Sequence, residues 1–260
     1  MAEAAGLYYE LHGPEDAPPL ILSSGLGGSA SYWAPNVPAL AEHYRVITYD
    51  HRGTGLSDRS LPDQTSVEDM SADVLALMDS LGHESVSFVG HALGGLIGIE
   101  AAIMTCRIER LVVVNAWRSL SLHTSRCFDA RLNLLRDSGP AAYLDAQPLF
   151  LYPPDWIASH DAMLVEEARH QLAHFPGRST VEKRIAAVRG YDPSLVDLSA
   201  TAWWLVIATR DDFLVPVASA QEVAASVPWA KLATLDWGGH ACNVTDPDTF
   251  NRVVLDFLRS

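Results

Sequence analysis

Along the chain, short apolar runs bounded by turn residues alternate with longer stretches whose apolar positions recur every three or four residues. The runs PLILSS (19–24), YRVITYD (44–50), ESVSFVG (84–90), ERLVVVN (109–115), WWLVIAT (203–209) and AKLATLD (230–236) predict strands. The middle runs are apolar and β-branched throughout, the pattern of parallel strands covered by helices on both faces. GLYYELHG (6–13) predicts an antiparallel edge strand. Between 67 and 82, Val67, Met70, Val74, Leu77, Met78 and Leu81 fall at helical spacing. Ser66 with Asp69 makes an N-terminal capping pair for that helix, and Gly82 ends it. The order β-α-β-α specifies a doubly wound, mostly parallel sheet.

After Asn115 the rhythm stops. Residues 117–190 read as helical and polar, broken at GP (139–140), YPPDW (152–156) and FPG (175–177), and strands resume at Trp203. An insertion of this length predicts a helical cap, residues 117–190, over the C-terminal edge of a core made of residues 1–116 and 191–260.

Composition narrows the function. A chain of 260 residues, 48% hydrophobic, is long enough to bury a substantial core without disulfides or metals. The formal net charge of -14 argues against nucleic acid or anionic membranes as partners and favours solubility. Cys106, Cys127 and Cys242 form no C-x-x-C pair, so free thiols, buried or partly buried, are expected rather than a metal site. No cofactor is called for. The opening MAEAAGLYYE lacks a signal-peptide pattern, and no apolar run reaches the ~18 residues of a membrane span. A cytoplasmic location follows as an expectation, and a homodimer is expected only from the general frequency of two-fold oligomers.

GLGGSA, directly after the first buried strand, fits the dinucleotide fingerprint G-x-G-x-x-G/A at Gly25, Gly27 and Ala30, with Asp50 placed as a ribose-binding acid. Pro35 and Pro38 argue against it. They fall where the phosphate-binding helix should already be under way, and they move its start to about Ala34. The better reading is a loop whose backbone N–H groups turn toward a pocket and stabilise an oxyanion.

VGHALGG (89–95) reads as a strand, a sharp turn and a helix, with Gly90 and Gly94 flanking a residue held in the turn. In a nucleophile elbow that residue is a serine; here it is Ala92. IATRDDFLVP (207–216) then places Asp212 just past a strand, with Asp211 as competitor, and TLDWGGHACNVTDP (234–247) places His240 past the last one. Elbow, acid, histidine is the chain order of a hydrolase triad.

Over its whole length, through SGLGGS, YDHRGTG, GHALGG, DDFLVP and GGHACN in order, the chain resembles the α/β-hydrolases. Through HTSRCF (123–128), AQPLFLYPPDW (146–156), QLAHFPG (171–177) and GGHACNVTDPDTFN (238–251) it resembles, more narrowly, the RutD-type members of the Rut pathway of pyrimidine breakdown. The resemblance implies an α/β-hydrolase fold with a helical cap inserted after the sixth strand. It implies that Ala92 is native, and that the N–H groups of Leu26 and Leu93 form an oxyanion hole. Ser24 stands where many members carry histidine. The substrates implied are labile C–N compounds, aminoacrylate or a carbamate, attacked by water that His240 and Asp212 activate. Both are anions, so a local cation is wanted. Arg126 is the candidate, with Arg118 behind it, while Trp117 and His91 are candidate pocket walls. Two other readings stay open: a catalytically silent binding protein on the same fold, and a serine hydrolase carrying a nucleophile-to-alanine change.

Overall fold

In a computed structural model, which describes residues 2–193 and 202–260, the apolar runs form one eight-stranded sheet. The strands are β1 (Ala2–Ala4), β2 (Leu7–His12), β3 (Pro19–Ser23), β4 (Arg45–Tyr49), β5 (Val86–His91), β6 (Ile108–Val114), β7 (Trp203–Thr209) and β8 (Lys231–Leu235), in the order β1-β2-β4-β3-β5-β6-β7-β8. From β4 to β8 every pairing is parallel, while β1–β2 and β2–β4 are antiparallel. Residues 194–201, assigned to the core from the sequence, lie outside the described residues.

The strand at 6–13 is antiparallel but is not the edge. Ala5 and Gly6 both take positive φ, 53° and 76°, which folds Ala2–Ala4 back onto Leu7–Tyr9 as a tight hairpin. A three-residue strand has too little pattern to be read in advance.

Side chains alternate across the sheet with period two and supply two cores. Ile21, Ile47, Phe88, Leu111 and Val113 face the helices α2 (Val67–Ser80) and α3 (Leu93–Met104). Leu20, Leu22, Val46, Val89, Val112 and Ile207 face Trp33 and the helices α1 (Val37–Ala41), α10 (Cys242–Thr245) and α11 (Pro247–Leu258). Burying each such side chain contributes roughly 1.5–3 kcal/mol. At the start of α2 the Ser66 hydroxyl accepts from Asp69 N–H at 3.1 Å, and the Asp69 carboxylate accepts from Ser66 N–H at 2.9 Å, a complete capping box.

Between β6 and β7 run α4 (Leu122–Asn133), a π-helical turn (Leu134–Ser138), α5 (Gly139–Asp145), α6 (Gln147–Leu151), α7 (Pro154–Ala173) and α8 (Arg178–Gly190). Each break falls at a proline or glycine: Pro140 sits in the first turn of α5, Pro154 opens α7, and Phe175–Gly177 separate α7 from α8. One more helix, α9 (Val217–Ser226), links β7 to β8.

Two expectations change. No α-helix opens within the GLGGSA run: a 3-10 turn covers Ala30–Trp33, α1 begins at Val37 and not near Ala34, and the Asp50 carboxylate accepts from Ala30 N–H and Leu56 N–H at 2.8 Å each. Asp50 holds two loops together and is not free for a ribose. Of the free cysteines, Cys127 and Cys242 are buried, but Cys106 is exposed.

Candidate active site

The site is built from chain leaving the C-terminal ends of parallel strands. β5 ends at His91, α3 begins at Leu93, and Ala92 between them has φ 49° and ψ −112°. A non-glycine residue in this region is strained and is held by its surroundings. Here Ala92 N–H donates to Val114 O at 2.8 Å and Ala92 O accepts from Leu96 N–H at 3.1 Å. The glycines beside the turn leave no choice of residue. A Cβ on Gly94 would overlap the Ser23 carbonyl, and one on Gly90 would overlap the Gly94 carbonyl. Helix α3 therefore starts flush against the ends of β3 and β5. As its first residue, Leu93 has no intrahelical acceptor for its N–H.

His240 follows β8 in a loop bent at Gly238 (φ 133°) and Gly239 (φ 66°). Its Nδ1 lies 2.8 Å from Asp212 Oδ2, and both side chains are buried. Asp212 Oδ1 accepts from the N–H groups of Leu214 and Val215, 2.8 Å each, so the carboxylate is fixed at both oxygens. Asp211 does something else: its two oxygens accept from Gly238 N–H at 3.2 Å and Gly239 N–H at 2.9 Å, anchoring the loop that carries the histidine. The His240 carbonyl accepts from Asn115 Nδ2 at 2.7 Å and from His91 Nε2 at 2.8 Å. With Nδ1–H directed to a carboxylate, the Nε2 of His240 carries the lone pair when the ring is neutral.

His91 is stacked on Tyr32, with ring centroids 5.1 Å apart, and lies 4.6 Å from the His240 ring. Burial holds it well below the usual histidine range, and His240 adds to the shift. It is a neutral donor to the His240 backbone.

The glycine loop is clamped from the cap. Gly25 O accepts from Gly28 N–H at 3.1 Å and from Arg184 Nη2 at 3.5 Å, and Leu26 O accepts from Arg184 Nε at 3.1 Å. A trans peptide sets its N–H opposite its carbonyl, so fixing Gly25 O fixes the direction of Leu26 N–H. Arg184 also donates from Nη2 to His51 Nδ1 at 2.9 Å. Burial brings the Arg184 guanidinium down to about 10, still charged at neutral pH, and burial also holds His51 well below its ordinary range.

These groups line one cavity of about 930 Å³ between sheet and cap, walled by Ala92, His240, Trp117, Arg131, Arg184 and Leu164 among others. Leu26, Leu93, Ser24 and His91 also line it, and Asp212 sits behind His240. Ser24 Oγ, His91 Nδ1, Trp117 Nε1, Arg131 Nε and Arg184 Nη1 are buried with no partner among the described residues. Buried polar groups are nearly always paired, so a group of five orphans around one cavity marks a place for a polar ligand.

The expected cation is a different residue. Arg126 is exposed on α4 and outside the cavity, and Arg118, also exposed, donates to Ser226 Oγ at 3.3 Å. The cations that line the cavity are Arg131 and Arg184. A helical count finds them: Thr124, Cys127, Phe128, Arg131 and Leu132 form the buried face of α4, and Val181, Arg184, Ile185 and Val188 that of α8. Arg126 points away from that face. Asn115 and Tyr32 were missed for want of any motif. Among the described residues no group of three or more His, Cys, Asp or Glu is placed to hold a metal, and no helix is long and apolar enough to cross a membrane.

A sequence model of the family with the α/β hydrolase fold matches residues 18–152. A protein of Stutzerimonas stutzeri provisionally named carbamate hydrolase RutD is 48% identical, over 97% of this chain and 96% of its own length. One of the same name from Agrobacterium fabrum is 45% identical, over 97% of this chain and 98% of its own. Among solved structures, the enol-lactonase of Burkholderia xenovorans superposes with a TM-score of 0.87 at 29% identity, over 98% of this chain and 96% of that one.

Proposed function

The chain belongs to the RutD family of α/β-hydrolases, and from that premise we propose that it hydrolyses a small, labile C–N compound of the aminoacrylate and carbamate class in pyrimidine nitrogen catabolism, using water in place of a serine nucleophile. One observation carries the reading: a buried Asp212–His240 pair, 2.8 Å apart, opens onto the same cavity as an elbow whose residue is Ala92. The base of a triad is retained and only the attacking group differs. A silent binding protein has little use for that pair.

Magnitudes decide the substrate class. In serine proteases, a site stripped of its triad still gives 10³–10⁴-fold over water, roughly 4–5.5 kcal/mol of barrier. That is too little for an amide or a stable ester. It suffices for a compound that already decays by itself, and the relatives' names point to carbamates.

In the proposed mechanism, water beside the Ala92 methyl gives a proton to His240 Nε2 as its oxygen bonds to the substrate carbon, and Asp212 stabilises the imidazolium. The N–H groups of Leu26 and Leu93 receive the charge that builds on a substrate oxygen. His240 then passes the proton to the leaving nitrogen as the C–N bond breaks. Aminoacrylate yields ammonia and the enol of malonic semialdehyde, whose hydroxyl proton moves to carbon to give the aldehyde; a carbamate yields bicarbonate and an amine.

The test follows decay of freshly generated aminoacrylate, and separately of a carbamate, with and without protein. Wild type is expected to accelerate at least one of them, and His240→Ala to lose that acceleration. Equal rates with wild type, with the variant and without protein for both compounds would sink the proposal.

A further inference from the structure

Arg131 has no business being where it is on packing grounds alone. It is 5% exposed, sits on the apolar face of α4, lines the cavity, and makes no salt bridge among the described residues. Its Nη2 donates to two neutral acceptors, Tyr143 Oη at 3.2 Å and Gln147 Oε1. The Gln147 amide is itself oriented, because its Nε2 donates to Tyr143 O at 2.8 Å, which leaves Oε1 to face the arginine. The guanidinium carbon lies 5.6 Å from the Phe128 and Tyr143 ring centroids and 5.8 Å from that of Phe150. Neutral acceptors and aromatic faces hold the fork still without cancelling its charge. Nε and Nη1 have no partner among the described residues, and Nε is fully buried.

A buried charge without a counter-ion is expensive, and replacing it with an apolar residue of like size is often stabilising. The neighbouring Arg184 has its Nε and Nη2 occupied by the glycine loop and His51, so the loop explains it. Arg131 is tied to Tyr143 and Gln147, but among the described residues no counter-ion explains its charge. Of the carboxylates that line the same cavity, Asp145 and Asp161 are exposed, where solvent screens them. Glu167, raised above the usual carboxylate range by burial, accepts from Gln171 Nε2 at 2.8 Å and makes no ion pair with Arg131.

From these groups we infer that the cap carries an anion subsite in which Arg131 holds the carboxylate of a small acid occupying the cavity. With Nη2 taken by Tyr143 and Gln147 and the plane thereby preset, Nη1 is left to give one charge-assisted bond to a carboxylate. The cavity, about 930 Å³, also exceeds what a three-carbon acid fills, since six or seven heavy atoms displace only roughly 200 Å³ of water at about 30 Å³ each. The subsite therefore accepts straight-chain acids longer than the three-carbon one. The inference names the substrate class of the site proposed above and rests on that reading only for its hydrolytic half.

The experiment measures binding, not turnover. Straight-chain carboxylates of two to six carbons, and the matching uncharged amides, are titrated calorimetrically into wild type, Arg131→Met and Arg131→Lys. At least one carboxylate is expected to bind wild type more tightly than its amide. Arg131→Met should weaken that carboxylate by about tenfold to a hundredfold while leaving the amide unchanged. Arg131→Lys, which keeps the charge and loses the plane held by Tyr143 and Gln147, should fall between. Unchanged amide binding certifies that the cavity of the methionine variant has survived. Failure of every carboxylate to bind, equal binding of carboxylates and amides, or full carboxylate affinity in Arg131→Met would overturn the subsite. Binding does not need His240 as a base, so a failed hydrolysis assay leaves this result standing, and the converse holds too.

Discussion

At position 92 a single methyl group decides the chemistry. Ala92 keeps the strained backbone of a nucleophile elbow, φ 49° and ψ −112°, a conformation that costs of order 1–3 kcal/mol and has no use in a plain strand-to-helix turn. The strain presents residue 92 to the cavity beside His240 whatever its side chain. Ala92→Ser adds one oxygen there and should fold normally. In the water mechanism that hydroxyl takes the position of the attacking water, so hydrolysis of the labile substrate is expected to fall or stay level. Progress curves for aminoacrylate, a carbamate and an activated ester check this. A tenfold gain on the labile substrate, or strong new esterase activity, would favour a serine hydrolase that has lost its nucleophile.

Helix α3 is the element on which the site depends, because its N-terminus meets the ends of β3 and β5 with no side chain between. Gly94→Ala would drive a Cβ into the Ser23 carbonyl, and neither backbone segment can move without unseating β3 or Leu93. The expected loss is about 3 kcal/mol or more, the upper end of overpacking effects, read as a lower urea midpoint. A loss below about 0.5 kcal/mol would mean that α3 stands off from β3. Such elements were legible in the sequence where period and punctuation agree: the parallel strands, the Ser66–Asp69 cap and the elbow glycines. The acid, too, was legible just past a strand, with Asp212 meeting His240 and Asp211, its competitor, left to the loop. What escaped had no local pattern. The strand Ala2–Ala4 is too short to show a period, and Asn115 acts through partners 94 to 125 residues away. Arg131 and Arg184 were hidden by their charge. A polar residue on an apolar helical stripe reads as an interruption, although here it is what the cap contributes to the cavity.

For the whole molecule, acid is the informative stress. Two fully buried histidines, His51 and His91, are kept neutral, by burial first and by Arg184 and His240 respectively. In the unfolded chain each protonates near pH 6.5. Their folded values are depressed, so the stability they confer is present above about pH 6.5 and is lost as pH falls below it, where the unfolded state binds more protons. Each contributes a loss of about 1 kcal/mol between pH 6.5 and 5.5. Against this runs the net charge of -14, whose self-repulsion eases as carboxylates protonate. Comparing two proteins that share that background separates the opposing terms. His51→Gln, in which the amide oxygen still accepts from Arg184, should be less stable than wild type at pH 7.5. Its stability should also fall by about 1 kcal/mol less between pH 6.5 and 5.5, measured by urea unfolding at each pH. Parallel curves would show that His51 takes up its proton in the folded protein as it does in the unfolded chain, and with it that Arg184 does not donate to that ring. The clamp on the glycine loop would then have to be redrawn, since the buried His51 is one of the three groups that hold the guanidinium in place.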